Sequence, residues 1–508
     1  MKNKPLLLAI IAVASVVYLG GLVHYARVRP LDGDEGYYAT AARLVWEGKT
    51  PYHDFAYPQA PLLPYVYSWI WAVHPRSLVA MRFLSAAFGG LAVFLWGVSL
   101  LSVKRLPTKV ALGTFVVVLL NPYWVSWDTT VKTHALANLL MSIAMVCLYA
   151  GFESGRVRWY FLAGTALGAC ASTRGLYGPL IPVVLLWLFY QEWQASKRPY
   201  PNTMTFLGGA ICGLLTMLFR FVGDPRAFIF NNVDYHRLLF SHISFRHTLH
   251  MDVDVLSSLL NPLHSLPAHY FIFEVFLAVV GGLSWWKLRK KPEEPYTGQH
   301  YLYLELALLM LLVYIITATL PLPAGDQYFD SPLTPFLIPF LAEALRVIFR
   351  SRRKWVVVGL AVLAPIIFFR ETKRGAAEFA VNVDSQLSSF RQVTQAIEAN
   401  SNADDVVLSF WPGYVFESGR RYFPGSEDDF NYYIANEVSP EARARYHLVS
   451  KDEIMNVVSN RAVAVLVTSP YIFDNHLSPA ELQTFRADVN ANYSLVTRIG
   501  ANEVFRRR

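Results

Sequence analysis

The chain has 508 residues, 54% of them hydrophobic, and a mean hydropathy of +0.31, more apolar surface than one soluble core can hide. Its 16% of charged residues falls below the globular norm of about 25%, so a lipid solvent is implied and a simple soluble enzyme is excluded. The net charge of +8 does not mark a nucleic-acid binder, because the Lys and Arg residues stand in short clusters between apolar runs, the pattern of cytoplasmic loops.

In chain order, about eleven runs are candidates to span a bilayer, which takes approximately 20 mostly apolar residues. They cover 6–25, 79–102, 109–127, 132–150, 159–173, 176–191, 204–221, 268–286, 300–320, 332–349 and 355–370. The fifth and sixth are short and separated only by the turn around Arg174-Gly175. The first follows the charged start Met1-Lys2-Asn3-Lys4; it is long for a signal peptide and has no small-x-small cleavage site, so it reads as an uncleaved anchor. With the N-terminus inside, every inside connection is basic: Lys104, Arg105 and Lys109; Arg156 and Arg158; Lys197 and Arg198; Lys287 to Lys291; Arg352, Arg353 and Lys354. The outside then receives the loop 26–78, the turn near 122–131, the loop 222–267, the turn 321–331 and everything after about residue 371. Residues 1–370 are thus expected to form a transmembrane domain, and 371–508 a small extracytoplasmic α/β domain. In that tail, strand-like 406–410 and 462–467 alternate with helix-like 384–399 and 478–490. Cys147, Cys170 and Cys212 all lie in apolar stretches and support no disulfide framework.

The first outside loop carries the densest chemistry. It opens Asp32-Gly33-Asp34-Glu35-Gly36-Tyr37-Tyr38, continues as a helix-like stretch to Trp46, and reaches Tyr57-Pro58-Gln59-Ala60-Pro61. Asp34 and Glu35 suit the capping and charging of a helix N-terminus. A carboxylate at a membrane interface also suits proton abstraction. Arg82, a charge in an apolar run, costs about 2.5–3.5 kcal/mol on insertion scales, which calls for a partner such as Asp34 or Glu35, or for a phosphate. Asp128, Lys132 and His134 form a second outside-facing cluster, with donor contact and snorkelling to the interface as the two readings of the cations. His236, His242, His247 and His250, with Asp252 and Asp254, lack metal-ligand spacing and read as an interfacial segment, so no metal site is assigned. Asp404-Asp405 reads as a turn before a strand.

The Asp34-Glu35 pair after the first span, the amphipathic stretch and the proline-rich segment together resemble the GT-C glycosyltransferase superfamily. The resemblance is to bacterial relatives of the protein O-mannosyltransferases and lipid A aminoarabinose transferases. Further similar patches are Met81-Arg82-Phe83-Leu84-Ser85-Ala86 with Gly89, Ser172-Thr173-Arg174-Gly175, and Asp326-Gln327-Tyr328-Phe329 before Leu337-Ile338-Pro339-Phe340. Trp411-Pro412-Gly413-Tyr414 and Ser418-Gly419-Arg420-Arg421 look like the family's periplasmic domain.

The resemblance implies a transferase that takes a sugar from a polyprenyl-phosphate carrier and passes it, with inversion, to an extracytoplasmic glycan, lipid or protein. It implies Asp34 as general base with Glu35 beside it, and Arg174 on the carrier phosphate where relatives have a lysine. Arg82, Lys132 and His134 are further candidates for the phosphate, and Tyr57, Gln59, Asp128, Gln327 and Tyr328 for the substrates. The aminoarabinose transferases carry Glu-Lys-Pro-Pro where this chain reads Pro58-Gln59-Ala60-Pro61; the missing lysine points to another donor or other phosphate cations. Relatives differ in metal dependence and a lone carboxylate pair fits either case, so a divalent ion is possible but not supported by these residues. The competing functions are a transporter or flippase, which predicts polar residues near mid-bilayer in several spans, and a noncatalytic scaffold. The charges here cluster at the outer ends of spans, which favours the enzyme.

Overall fold

The computed structural model describes residues 4–103, 106–241, 269–289, 298–319, 331–350, 386–468 and 477–508. Among the described residues, four helices are long and apolar enough to cross a bilayer: Lys4–Val28, Leu78–Ser102, Thr133–Ser154 and His300–Ala318. Other expected spans are shorter or divided. The run 109–127 becomes Thr108–Leu119 and Pro122–Trp127, because Asn121 accepts the Tyr123 and Trp124 amides at 2.9 and 3.2 Å and caps a new helix with proline at its first position. The run 204–221 becomes Pro201–Gly213 and Leu215–Gly223. The helices Val157–Thr173, Leu180–Gln194 and Thr334–Arg350 fall in three more expected spans, whereas 355–370 lies outside the described residues. The chain is a multi-pass membrane protein built mainly of apolar helices.

Its contacts divide it into two compact units. The first comprises Met1–Tyr25, Ser85–Thr216 and Val253–Gly375. Here Gly164 and Gly168 face Gly209 and Gly213, and a Cβ at any of the four would run into backbone of the opposing helix. This small-x-x-x-small spacing lets helices Val157–Thr173 and Pro201–Gly213 approach closely in an environment where lipid offers no hydrophobic drive for association.

The second unit comprises Ala26–Leu84, Met217–Asp252 and Ala376–Arg508. Its sheet has strands β1 (Val406–Ser409), β2 (Arg421–Tyr422), β3 (Val465–Thr468), β4 (Tyr493–Ile499) and β5 (Asn502–Arg507) in the order β2-β1-β3-β5-β4. β1 pairs in parallel with β2 and β3, while β5 runs antiparallel to β3 and β4. Parallel neighbours need a crossover, and helix Pro412–Ser418 supplies the one between β1 and β2. Helices Lys451–Ser459 and Pro479–Asn492 each begin with a capping box, Ser450/Glu453 and Ser478/Glu481. The apolar core joins Leu408, Leu466, Phe485 and Phe505 of the tail to Ala56 of the first loop and to Phe230, Tyr235 and Leu239. The tail therefore shares one core with the first loop and part of 222–267.

Candidate active site

Helix Glu35–Trp46 positions the first-loop carboxylates. Asp34 occupies its N-cap position and is half-buried, but its side chain makes no capping hydrogen bond. The Asp34 amide donates to Asp32 Oδ1 at 3.0 Å, which fixes the turn into the helix. Glu35 is fully buried and ion-paired: Arg82 Nε donates to Oε1 at 2.8 Å and Arg82 Nη2 to Oε2 at 2.5 Å. Burial pushes the Glu35 carboxyl up, and the Arg82 guanidinium overrides this and holds it below its ordinary range.

Arg82 also donates from Nη1 to the Ala26 and Arg29 carbonyls at 3.1 and 3.0 Å, and from Nη2 to the Pro30 carbonyl at 3.0 Å. All five of its N–H groups are thereby occupied. This is the geometry of the ion-pair scaffold and leaves no donor for a phosphate. Arg82 ties the end of the first helix, the Asp32–Glu35 turn and the start of helix Leu78–Ser102 to one another.

The tail motif Trp411-Pro412-Gly413-Tyr414 meets this helix. Trp411 Nε1 donates to the Gly33 carbonyl at 2.6 Å, and a Cβ on Gly36 would stand 2.6 Å from the Gly413 nitrogen. Farther along, Thr40 Oγ1 lies 3.0 Å from Tyr422 Oη, and Arg43 Nη1 donates to the Val415 carbonyl at 3.1 Å.

Asp428 and Asp429 are functional candidates that the sequence reading did not single out. Burial lifts the Asp428 carboxyl to about 6, against hydrogen bonds from the Phe430 amide and the Tyr235 hydroxyl, each at 2.9 Å, and the nearby Asp34 charge adds to the rise. Asp429 is raised well above its ordinary value by burial and then by the charges of Asp428 and Asp34. Tyr37 stacks on Tyr57 with ring centroids 5.3 Å apart, and neither buried hydroxyl has a hydrogen-bond partner among the described residues. Tyr57 is further fixed by its amide, which donates to Asn231 Oδ1 at 2.9 Å. Gln59 is half-buried, its carbonyl accepting from the Tyr52 hydroxyl at 2.5 Å. The run Glu427-Asp428-Asp429 was the available signal, but nothing local distinguishes it from a solvated turn.

In the first unit, Asp128 is buried and accepts from Asn138 Nδ2 at 3.4 Å, while the same nitrogen donates to Ser331 Oγ at 2.6 Å. Trp127 meets two candidates: His134 stacks on its ring at 4.5 Å, and Lys132 Nζ lies 5.0 Å from its centroid. Lys132 and His134 are 5% and 3% exposed, so both are packed rather than extended at a surface. Arg174 is buried where helix Val157–Thr173 gives way to the short turn Gly175–Tyr177. Its helix packs on Thr133–Ser154 through Cys170, whose sulfur donates to the Ala137 carbonyl at 3.5 Å. Consecutive antiparallel helices joined at that level bring Arg174 to the same end of the pair as Lys132 and His134. Gln327 and Tyr328 lie outside the described residues, as do His242, His247, His250, Asp252 and Asp254.

Residues 58–219 match the family model described as dolichyl-phosphate-mannose-protein mannosyltransferase. Among solved structures, the chain is similar to ArnT from Cupriavidus metallidurans bound to undecaprenyl phosphate, with a TM-score of 0.67 and 15% identity over 98% of this chain and 97% of that one. It is also similar to the arabinofuranosyltransferase AftD from Mycobacteria, with a TM-score of 0.50 and 14% identity over 98% of this chain and 40% of that one. No curated protein matches it. At these identities the likeness to the solved structures is one of fold.

Proposed function

We propose that this chain, whose residues 58–219 match the mannosyltransferase family model and whose fold is like that of ArnT, is a GT-C glycosyltransferase that moves a sugar from a polyprenyl-phosphate carrier to an extracytoplasmic glycan, lipid or protein. The observation that carries this reading is the locking of Glu35 by Arg82, which places the adjacent Asp34 at a helix start with its carboxylate not used as a cap. A similar fold bound to undecaprenyl phosphate supports the polyprenyl carrier.

In the proposed reaction the Asp34 carboxylate takes the proton of the acceptor hydroxyl. The freed oxygen pair forms a bond to the anomeric carbon from the face opposite the phosphate. The bond from that carbon to the phosphate oxygen breaks, its electron pair leaves with the polyprenyl phosphate, and the sugar inverts. Arg174 holds the leaving phosphate through its planar fork, with Lys132 and His134 as the neighbouring hydrogen-bond donors. Tyr57, Gln59 and Asp128 are the proposed substrate contacts. Residues 371–508 would stand outside the membrane and the N-terminus inside, as the basic loops require.

The test is Asp34→Asn, which keeps shape and removes basicity. A positioned base contributes about 10²–10⁴ in rate, so transfer should fall by at least that order in a variant that folds and still binds carrier. Transfer at close to the wild-type rate would remove Asp34 from the role and make Asp128 the next candidate.

A further inference from the structure

The second unit holds a partly open cavity of about 520 Å³ between two stretches of chain. One wall is the end of helix Glu35–Trp46 and the turn after it, and the other comes from residues 421–448. Its carboxylates are already engaged within the protein. Glu47 accepts from Arg43 Nε at 2.7 Å, Asp54 from the Thr50 amide at 2.7 Å, and Glu427 from the Gly425 amide at 2.6 Å. Of the cations, Arg43 is engaged by Glu47 and by the Val415 and Gly419 carbonyls, and Arg443 donates from Nη1 to the Ala435 carbonyl at 3.4 Å. Lys49 and Arg421 line the cavity and their side chains make no hydrogen bond among the described residues. Arg443 has a buried Nε with no acceptor, its nearest carboxylate oxygen being that of Glu453 at 4.0 Å. Lys49 and Arg421 thus present the cavity with cationic donors that no protein acceptor takes, which favours a ligand that supplies an acceptor.

Position narrows the ligand. Arg43, at the cavity wall, comes nine residues after Asp34 on the same helix, about 13 Å along its axis at 1.5 Å per residue. Glu427 faces the cavity while its chain neighbour Asp428 senses the Asp34 charge, so the loop 425–429 is shared between the two places. A ligand that uses both is longer than one sugar.

We propose that this cavity is a subsite for an acidic sugar of an extended acceptor glycan, whose phosphate or carboxylate is held by Lys49, Arg421 and Arg443. The term acceptor rests on the transferase reading above; the anion site itself does not. The experiment uses the full-length protein purified in detergent, titrated by calorimetry with glucose 6-phosphate, glucuronate and glucose. At least one of the two acids should bind ten or more times more tightly than glucose, and the tighter of them names the acidic group. The double variant Lys49→Gln/Arg421→Gln should lose that preference at an unchanged melting temperature, since both side chains are exposed, and Arg443→Gln should weaken it independently. Asp34→Asn should bind the acids as the wild type does, which separates the subsite from the catalytic reading. Equal binding of acids and glucose, or an unaltered preference in the double variant, would overturn the proposal.

Discussion

Arg82 and Glu35 are both fully buried, and each is the other's charge partner. Removing one partner of such a pair leaves a buried charge uncompensated, at a cost of about 3–5 kcal/mol. Glu35→Gln should therefore lower the apparent melting temperature of the purified protein by several degrees; a variant that melts with the wild type would show that the pair is not structural. That Arg82 needs a carboxylate partner or a phosphate is legible in the sequence, because a charge in an apolar run demands compensation. Which of two adjacent acids it takes is not, since successive helix positions point about 100° apart and only the packed structure decides which one faces inward. The approach of Asp428 and Asp429 to Asp34 is illegible for a different reason: it depends on tertiary packing between the first loop and the tail, far apart in the chain.

The element that organises the second unit is helix Glu35–Trp46, which meets the Trp411–Gly413 turn at Gly36 and Tyr422 at Thr40. Gly36→Val would force this contact apart, and overpacking of this kind typically costs about 1–3 kcal/mol. The expected result is reduced thermal stability together with a fall in transfer activity, because the same displacement moves Asp34. Wild-type stability and activity in Gly36→Val would show that the helix and the tail are not coupled there. The helix itself, strands β1 and β3 and helices Leu387–Ala399 and Pro479–Asn492 follow the sequence patterning closely. Strands β2, β4 and β5 do not announce themselves: β2 has two residues, and β4 carries mostly exposed or half-buried positions, so neither offers a long alternating pattern. The divided spans are equally hard to read, because Asn121-Pro122 and Gly213 sit inside runs whose mean apolarity hides a break.

For the whole molecule, the basic loops predict an orientation that can be checked directly. In a Cys212→Ser background, which removes the exposed native thiol, Asp404→Cys should react with an impermeant thiol reagent applied to intact cells, while Lys197→Cys should react only after permeabilisation. Labelling of Lys197→Cys from outside would invert the assignment and place the first loop on the cytoplasmic face. The fold class and the ordering of loop, spans and tail are legible because hydropathy and charge act over whole segments; the donor sugar is not, because it depends on a few side chains whose arrangement the sequence does not give. The measurement that bears most directly on the central claim is mass spectrometry of envelope glycans and polyprenyl phosphosugars in cells lacking this protein. One carrier-linked sugar should accumulate while one envelope glycan loses a single residue, with wild type restoring both and Asp34→Asn neither; unchanged pools of every carrier-linked sugar would contradict the account.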